Sequence, residues 1–165
     1  MFSKISAVAV FVIVAFFTSI SVYAMMTKHI IEINDSIHEF TSGISKIERN
    51  KTLLPILLDD NEIGDYLRPL VRAVNYYNIA KGGATAYSPA MWNTLVPVWY
   101  KHYPIDEFLP QVNERTIESS IQRVKNAYDY VLLWGKSDGV DSLLQNHSFR
   151  LIHQKGKLKI YVNAG

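Results

Sequence analysis

Tyr128-Asp129-Tyr130-Val131-Leu132-Leu133-Trp134-Gly135 is the stretch on which the fold turns. Its aromatic and branched residues favour a pleated backbone, and the closing Gly stops it, so it reads as a strand. Working outward, Thr116 through Asn126 places Ile117, Ile121 and Val124 on one side of an amphipathic helix just before it. After it, Asp138 or Asp141 can start a short helix over Val140, Leu143 and Leu144. Two further apolar runs, Ser148 to His153 and Lys157 to Val162, flank Gln154-Lys155-Gly156, a hairpin signal with Gly at the turn. On the amino-terminal side, Thr52-Leu53-Leu54-Pro55-Ile56-Leu57-Leu58 is a continuous apolar run bounded by polar residues. It reads as a strand buried on both faces, with Pro55 confining it to an edge or a bulge. Asp65 can cap a helix that tolerates Pro69 in its first turn and aligns Leu67, Leu70, Val71, Val74 and Tyr77, and Gly82-Gly83 ends it. Ala84 to Pro110, with Tyr87, Trp92, Trp99, Tyr100 and Tyr103, reads as irregular structure. Strand, helix, strand, helix, hairpin in that order predict a small mixed α/β sheet, partly parallel, that ends in an antiparallel edge.

Ahead of this domain, Ile5 to Thr27 contains no charged residue and is mostly Val, Ile, Ala and Phe. About 20 apolar residues at 1.5 Å each cross a hydrocarbon core of roughly 30 Å, so residues 1–27 read as a single membrane anchor. Lys4 and the α-amino group on the short leading side put the start in the cytoplasm and residues 49–165 outside, periplasmic or extracellular. The rival reading is a signal peptide cut after Val22-Tyr23-Ala24, but the apolar run exceeds the usual length for one. Residues 28–48 follow as an amphipathic juxtamembrane helix. Ile30, Ile33, Ile37, Phe40, Ile44 and Ile47 recur along it, with a break expected at Ser42-Gly43. The stripe suits a dimeric coiled-coil stalk or a helix packed on its own domain. The second fits better, because fewer than three heptads is short for a coiled coil.

The chain has 165 residues, 48% apolar and 19% charged, with a net charge of +2 and no Cys. One domain of ordinary size fits; a basic nucleic-acid arm, a disulfide framework, a thiolate nucleophile and a Cys-ligated metal do not. Its near-neutral mean hydropathy of +0.03 averages two unlike parts. All 15 acids and all but one of the 17 Lys and Arg lie after Thr27. His29, His38, His102, His147 and His153 show no metal-ligand spacing, and no metal or cofactor is expected. Asp59-Asp60-Asn61-Glu62 lacks the spacing of a Ca²⁺ loop and reads as solvated capping carboxylates. In Lys81-Gly82-Gly83-Ala84-Thr85 the glycines follow a helix instead of opening one, which is a helix stop and not a phosphate cradle. No Ser stands in a Gly-x-Ser-x-Gly elbow, and the sequons at Asn34, Asn50 and Asn146 matter only in a eukaryotic secretory pathway. The aromatic density from Tyr76 to Tyr103 suits carbohydrate or lipid-head recognition, and equally core packing. Lys155, Lys157 and Lys159 either face anionic headgroups or protect an edge strand.

These pieces together resemble the last membrane helix and extracytoplasmic tail domain of bacterial multi-spanning glycosyltransferases of the GT-C type, which use lipid-linked sugars. The residues that carry the likeness are Tyr76 and Tyr77 with Gly82 and Gly83, then Asp129, Tyr130, Trp134 and Gly135, then the hairpin about Gly156. The resemblance implies that these residues are structural, that the catalytic acid and donor site lie elsewhere, and that no catalytic residue carries over. It makes the chain an accessory domain, not an enzyme by itself, whose partners are the bilayer and other membrane-protein subunits or a lipid-linked sugar. The alternative is an extracytoplasmic sensor or ligand-binding domain on a dimerising stalk. Such a sensor is expected to return through a second membrane helix, and none is read before Gly165. A secreted enzyme would need a nucleophile, metal or acid–base constellation, and the sequence offers none that is recognisable.

Overall fold

The computed structural model describes residues 5–58, 69–85 and 116–165; the acidic cluster at 59–62, the Asp65 cap and the aromatic segment from Tyr87 to Tyr103 lie outside them. Helix α1 runs from Ile5 to Thr41 and is followed by a single 3-10 turn at Ile44–Lys46. The remaining elements are β1 (Thr52–Leu57), α2 (Pro69–Lys81), β2 (Ala84–Thr85), α3 (Ile117–Ala127), β3 (Tyr130–Trp134), α4 (Asp138–Asn146), β4 (Phe149–Lys155) and β5 (Leu158–Asn163). The chain forms two compact units, Met1–Ser36 and Ile37–Gly165.

The first unit holds α1 up to Ser36, and the helix's most apolar 18-residue window has a mean hydropathy of 2.2, long and apolar enough to cross a membrane. Its Thr18, Ser19, Ser21 and Thr27 hydroxyls each donate to the carbonyl four residues earlier, so they add no unpaired polar group to the segment.

The second unit is a five-stranded sheet of order β2-β1-β3-β5-β4. β1 is parallel to β2 and β3, while β5 is antiparallel to both β3 and β4. The Tyr130–Trp134 run is therefore the centre of the sheet, with all five residues buried. Its alternation divides them. Val131 and Leu133 join Leu54, Ile56, Tyr161 and the inner stripes of α3 and α4 on one face. Tyr130, Leu132 and Trp134 join Leu53, Ile160, α2 and the end of α1 on the other. The crossovers explain which helix lies where. From β1 to β2 the chain moves one way across the sheet, and from β2 to β3 and from β3 to β4 it moves the other way, so crossovers of one hand put α2 on one face and α3 and α4 on the opposite face.

Several local expectations change. Ala84–Thr85, read as the start of an irregular stretch, is a strand: the Ala84 amide donates to Lys51 O, and Thr52 and Leu53 pair with Ala84 and Thr85. Among the described residues β1 has a ladder partner at Pro55 only in β3, opposite Leu132, which is how a strand next to β2 tolerates the missing N–H. The cap of α4 is Ser137, whose Oγ accepts from the Val140 amide, and Asp138 is the first helical residue. The hairpin loop is Gly156-Lys157, with Lys155 paired to Leu158 and Gly156 at φ +53, a positive φ at the first loop position as in a type II′ turn. The Lys-bearing arm β5 is interior, between β3 and β4; β4 is the edge, blunted by Arg150, Lys155 and an irregularity between Leu151 and His153. Lys159 is 17% exposed and bonded to Asp141, so it neither guards an edge nor faces headgroups.

The stripe beyond the apolar segment divides as well. Phe40 and Ile47 are buried in the domain core and Ile44 packs against it, whereas Ile30 is exposed.

Candidate functional site

Order β2-β1-β3 makes the carboxyl ends of β1 and β3 a switch point: the chain leaves β1 toward β2 on one face and leaves β3 toward β4 on the other. Open α/β sheets bind their ligands at such a crevice. Here the Leu58 amide donates to Trp134 O at 2.9 Å and the Gly135 amide to Lys157 O at 3.0 Å, which ties the β1 end, the β3 end and the hairpin loop into one rim. Gly135 allows the turn at φ +110, and Lys136 and Asp138 are exposed just beyond it, beside the buried cap Ser137. Thr85 lies away from this rim, opposite Leu53 near the amino end of β1, fully buried and with its hydroxyl without a partner among the described residues. The first turn of α4 already holds Asp138 and Asp141, so this helix end does not favour an anion. From β1 the sequence continues into Asp59-Asp60-Asn61-Glu62 and from β2 into residues 86–115, all outside the described residues.

The residues of the family-like motif lie elsewhere. Asp129 joins β1 to β3 at the opposite, amino end of the sheet. One carboxylate oxygen accepts the Thr52 amide at 2.8 Å and the Thr52 hydroxyl at 2.9 Å, and the other takes the Lys51 amine at 3.1 Å. Burial raises the Asp129 carboxyl, but the Thr52 amide, Lys51 and the Thr52 hydroxyl outweigh it and hold the group below the usual carboxylate range. Gly82 (φ +72) and Gly83 (φ +87) end α2, and a Cβ on Gly83 would stand 2.0 Å from Lys51 O. Tyr77 is buried and donates to Phe40 O at 2.5 Å; burial pushes its phenol up, with the Gly43 backbone pulling the other way. The Trp134 ring lies 5.5 Å from that of Phe40, while the Tyr130 hydroxyl accepts the Glu48 amide at 3.5 Å. At Gly156, a Cβ would meet the Glu39 carboxylate at 2.5 Å, and that carboxylate accepts the Lys157 amide at 2.6 Å. Tyr76 faces outward, half exposed. None of these side chains reaches the switch-point rim as a reactive group, although Trp134, Gly135 and Gly156 form part of its backbone.

Two polar clusters were missed by reading the sequence. On the α4 face, Asp141 takes Lys159 and the Tyr161 hydroxyl; burial and that carboxylate push Tyr161 up, so it stays a donor. On the other face, the Ser42 hydroxyl pairs with His153 Nε2 at 3.1 Å, where the chain turns after α1. Burial, then Lys46 and Lys155, lower the His153 imidazole. Among the described residues no carboxylate holds its other ring nitrogen, so the pair lacks the orienting member of a Ser–His–acid triad. Long sequence separation hid both clusters: Ser42 and His153 lie on opposite sides of the whole domain in the chain. The other described histidines are dispersed, His147 on Leu143 O at 2.9 Å and His29 beside Glu32 at 3.6 Å. No group of three metal-ligating side chains occurs among the described residues. A cleft of 340 Å³ between α3 and α4 is lined by Ile117, Val140, Leu143 and neighbours, with Glu118 its single titratable group.

No protein-family model, curated protein or solved structure matches the chain.

Proposed function

We propose that this chain is a membrane-anchored, extracytoplasmic accessory domain, of the kind that closes lipid-linked-sugar glycosyltransferases, and that it acts by docking and not by its own chemistry. The observation that carries the reading is α1: one uninterrupted helix begins in a segment apolar enough to span a bilayer and ends as part of a domain core, with Phe40 fully buried and Glu39 bonded to the hairpin. Sidedness rests on Lys4, the one basic side chain ahead of the apolar run. The glycosyltransferase kinship rests on the motif likeness in the sequence. A dimeric stalk gains less support, because Phe40 and Ile47 of its stripe pack inside their own domain.

A chain without Cys offers a clean test. Lys136→Cys places a lone thiol at an exposed position. Intact cells producing it are treated with a membrane-impermeant maleimide. Labelling without permeabilisation is the expected outcome; labelling only after lysis would put the domain in the cytoplasm and end the reading.

A further inference from the structure

We propose that the open edge of β4 takes an added strand from a partner protein, an extended segment in which acidic and apolar residues alternate. The inference rests on the docking reading above and deepens it, by naming the surface and the chemistry of its partner. Among the described residues no strand lies beyond β4. The Ala164 amide donates to Ser148 O at 2.9 Å, and Phe149 and Leu151 stand opposite Asn163 and Tyr161. Bonds alternate along an antiparallel ladder, so Ser148 and Arg150 point their main-chain groups at β5, while Phe149 and Leu151 turn theirs outward. Beside them runs an open groove of 470 Å³, lined by Gln145, Ser148, Phe149, Arg150, Leu151 and Ala164.

The side chains specify what fits this edge. Arg150, His153 and Lys155 stand opposite Val162, Ile160 and Leu158, which pack on one face of the sheet, so the three form a row on that face. The irregularity between Leu151 and His153 is what brings Arg150 and His153, three apart, to the same side. Arg150 and Lys155 are exposed. Leu151 stands opposite Tyr161 of the other face and is 37% exposed. Residues 142–165 contain no acid. Asp141 is taken by Lys159 and the Tyr161 hydroxyl, and Glu39 by the Lys157 amide. An added strand therefore meets cations on one face and an apolar side chain on the other, which calls for acids opposite Arg150 and Lys155 and apolar residues opposite Leu151. A second copy of β4 would set cation against cation. The charges that keep neutral edges away thus select the partner. Main-chain bonds supply the affinity in strand addition, so no large apolar area is needed.

The test uses the full chain in phosphatidylcholine nanodiscs and fluorescent peptides of about eight residues, an ordinary strand length. One peptide alternates Glu and Val, another alternates Lys and Val, and the third is the Glu/Val peptide N-methylated throughout, which has no N–H to donate. Fluorescence anisotropy is expected to show the Glu/Val peptide bound at least about tenfold more tightly than either of the others. Arg150→Glu/Lys155→Glu is expected to reverse the preference between Glu/Val and Lys/Val while the circular dichroism stays the same. Hydrogen exchange at the Leu151 amide is expected to slow when the Glu/Val peptide binds. No binding, or equal binding of the two charge types, overturns the proposal. Equal binding of the N-methylated peptide reduces the effect to surface charge and overturns it too. Spontaneous crosslinking of Gln154→Cys chains to one another makes a second copy the occupant, which also overturns the acidic partner. Each of these failures leaves outward labelling of Lys136→Cys intact, so the loss of the β4 site is distinguishable from the loss of the anchored reading.

Discussion

Asp129 and His153 are the two side chains whose charge state the fold sets most clearly, and both make acid unfavourable. Asp129 is held below its ordinary range, so its contribution is present above the unfolded value of about 3.9 and is lost as pH falls through the depressed folded value. His153 is also lowered, by burial first and then by Lys46 and Lys155. A lowered imidazole favours the neutral form in the folded state, so its contribution is complete above about 6.5 and fades as pH drops below that. In both windows the unfolded chain binds more protons, and stability rises with pH. The melting temperature is therefore expected to fall first below about pH 6.5 and again below about pH 4. His153→Gln, which can still bond Ser42, removes the first step, and Asp129→Asn removes the second. Thermal melts of the two variants at half-unit pH intervals decide the matter. An unchanged slope between pH 7 and 5 in His153→Gln would show that the imidazole does not titrate with folding.

Among the elements, the junction of α2, β2 and β1 depends on glycine in a way the hairpin does not. At Gly83 a Cβ meets the Lys51 backbone at 2.0, 2.8 and 2.9 Å, with no flexible group to give way, and φ is +87. At Gly156, the first position of the type II′ turn, φ is +53 and a side chain is strained as well, but the obstruction is the Glu39 carboxylate and not backbone. Gly83→Ala is thus expected to cost about 2–3 kcal/mol and Gly156→Ala about 1 kcal/mol. Equal midpoints in urea titration would contradict this ordering. The same junction shows where sequence reading succeeds and fails. β3 is legible as a continuous run of aromatic and branched residues stopped by Gly135, and α3 and the Lys-alternating arm of the hairpin because their apolar period, 3.6 or 2, is set by the face they bury. β2 is not, since two residues carry no period and are a strand only through pairing with Thr52 and Leu53. Ser137 and Asp138 are both capping residue types, and backbone geometry alone chooses between them. Lys159 alternates like a surface residue, yet Asp141 on α4 draws it inward, a partner 18 positions away that no local pattern announces. The switch-point rim was hidden for a related reason: it follows from strand order, which the sequence suggests only as a class.

At the scale of the molecule, the division at Ser36 states which residues the fold needs. Phe40 lies inside the core, with its ring 6.0 Å from that of Tyr77 and 5.5 Å from that of Trp134, and its carbonyl takes the Tyr77 hydroxyl. Glu39 closes the hairpin through the Lys157 amide. The last turns of α1 are thus part of the domain, although in sequence they continue an apolar helix. A chain beginning at Asn34 keeps these contacts, and Asn34, Asp35 and Ser36 are residue types that cap a new helix start. It is expected to be soluble without detergent and to unfold in one cooperative step. A chain beginning at Gly43 loses Phe40, a deletion worth about 3–5 kcal/mol. It also loses Glu39 and Ser42. Against a total stability of about 5–15 kcal/mol, that loss brings a small domain close to its unfolding threshold. Urea titrations of the two truncations should differ by a clear shift of the midpoint, or by the absence of any folded baseline in the shorter one. Coincident transitions would mean that α1 merely leans on the domain, and that the core is complete from Gly43 onward.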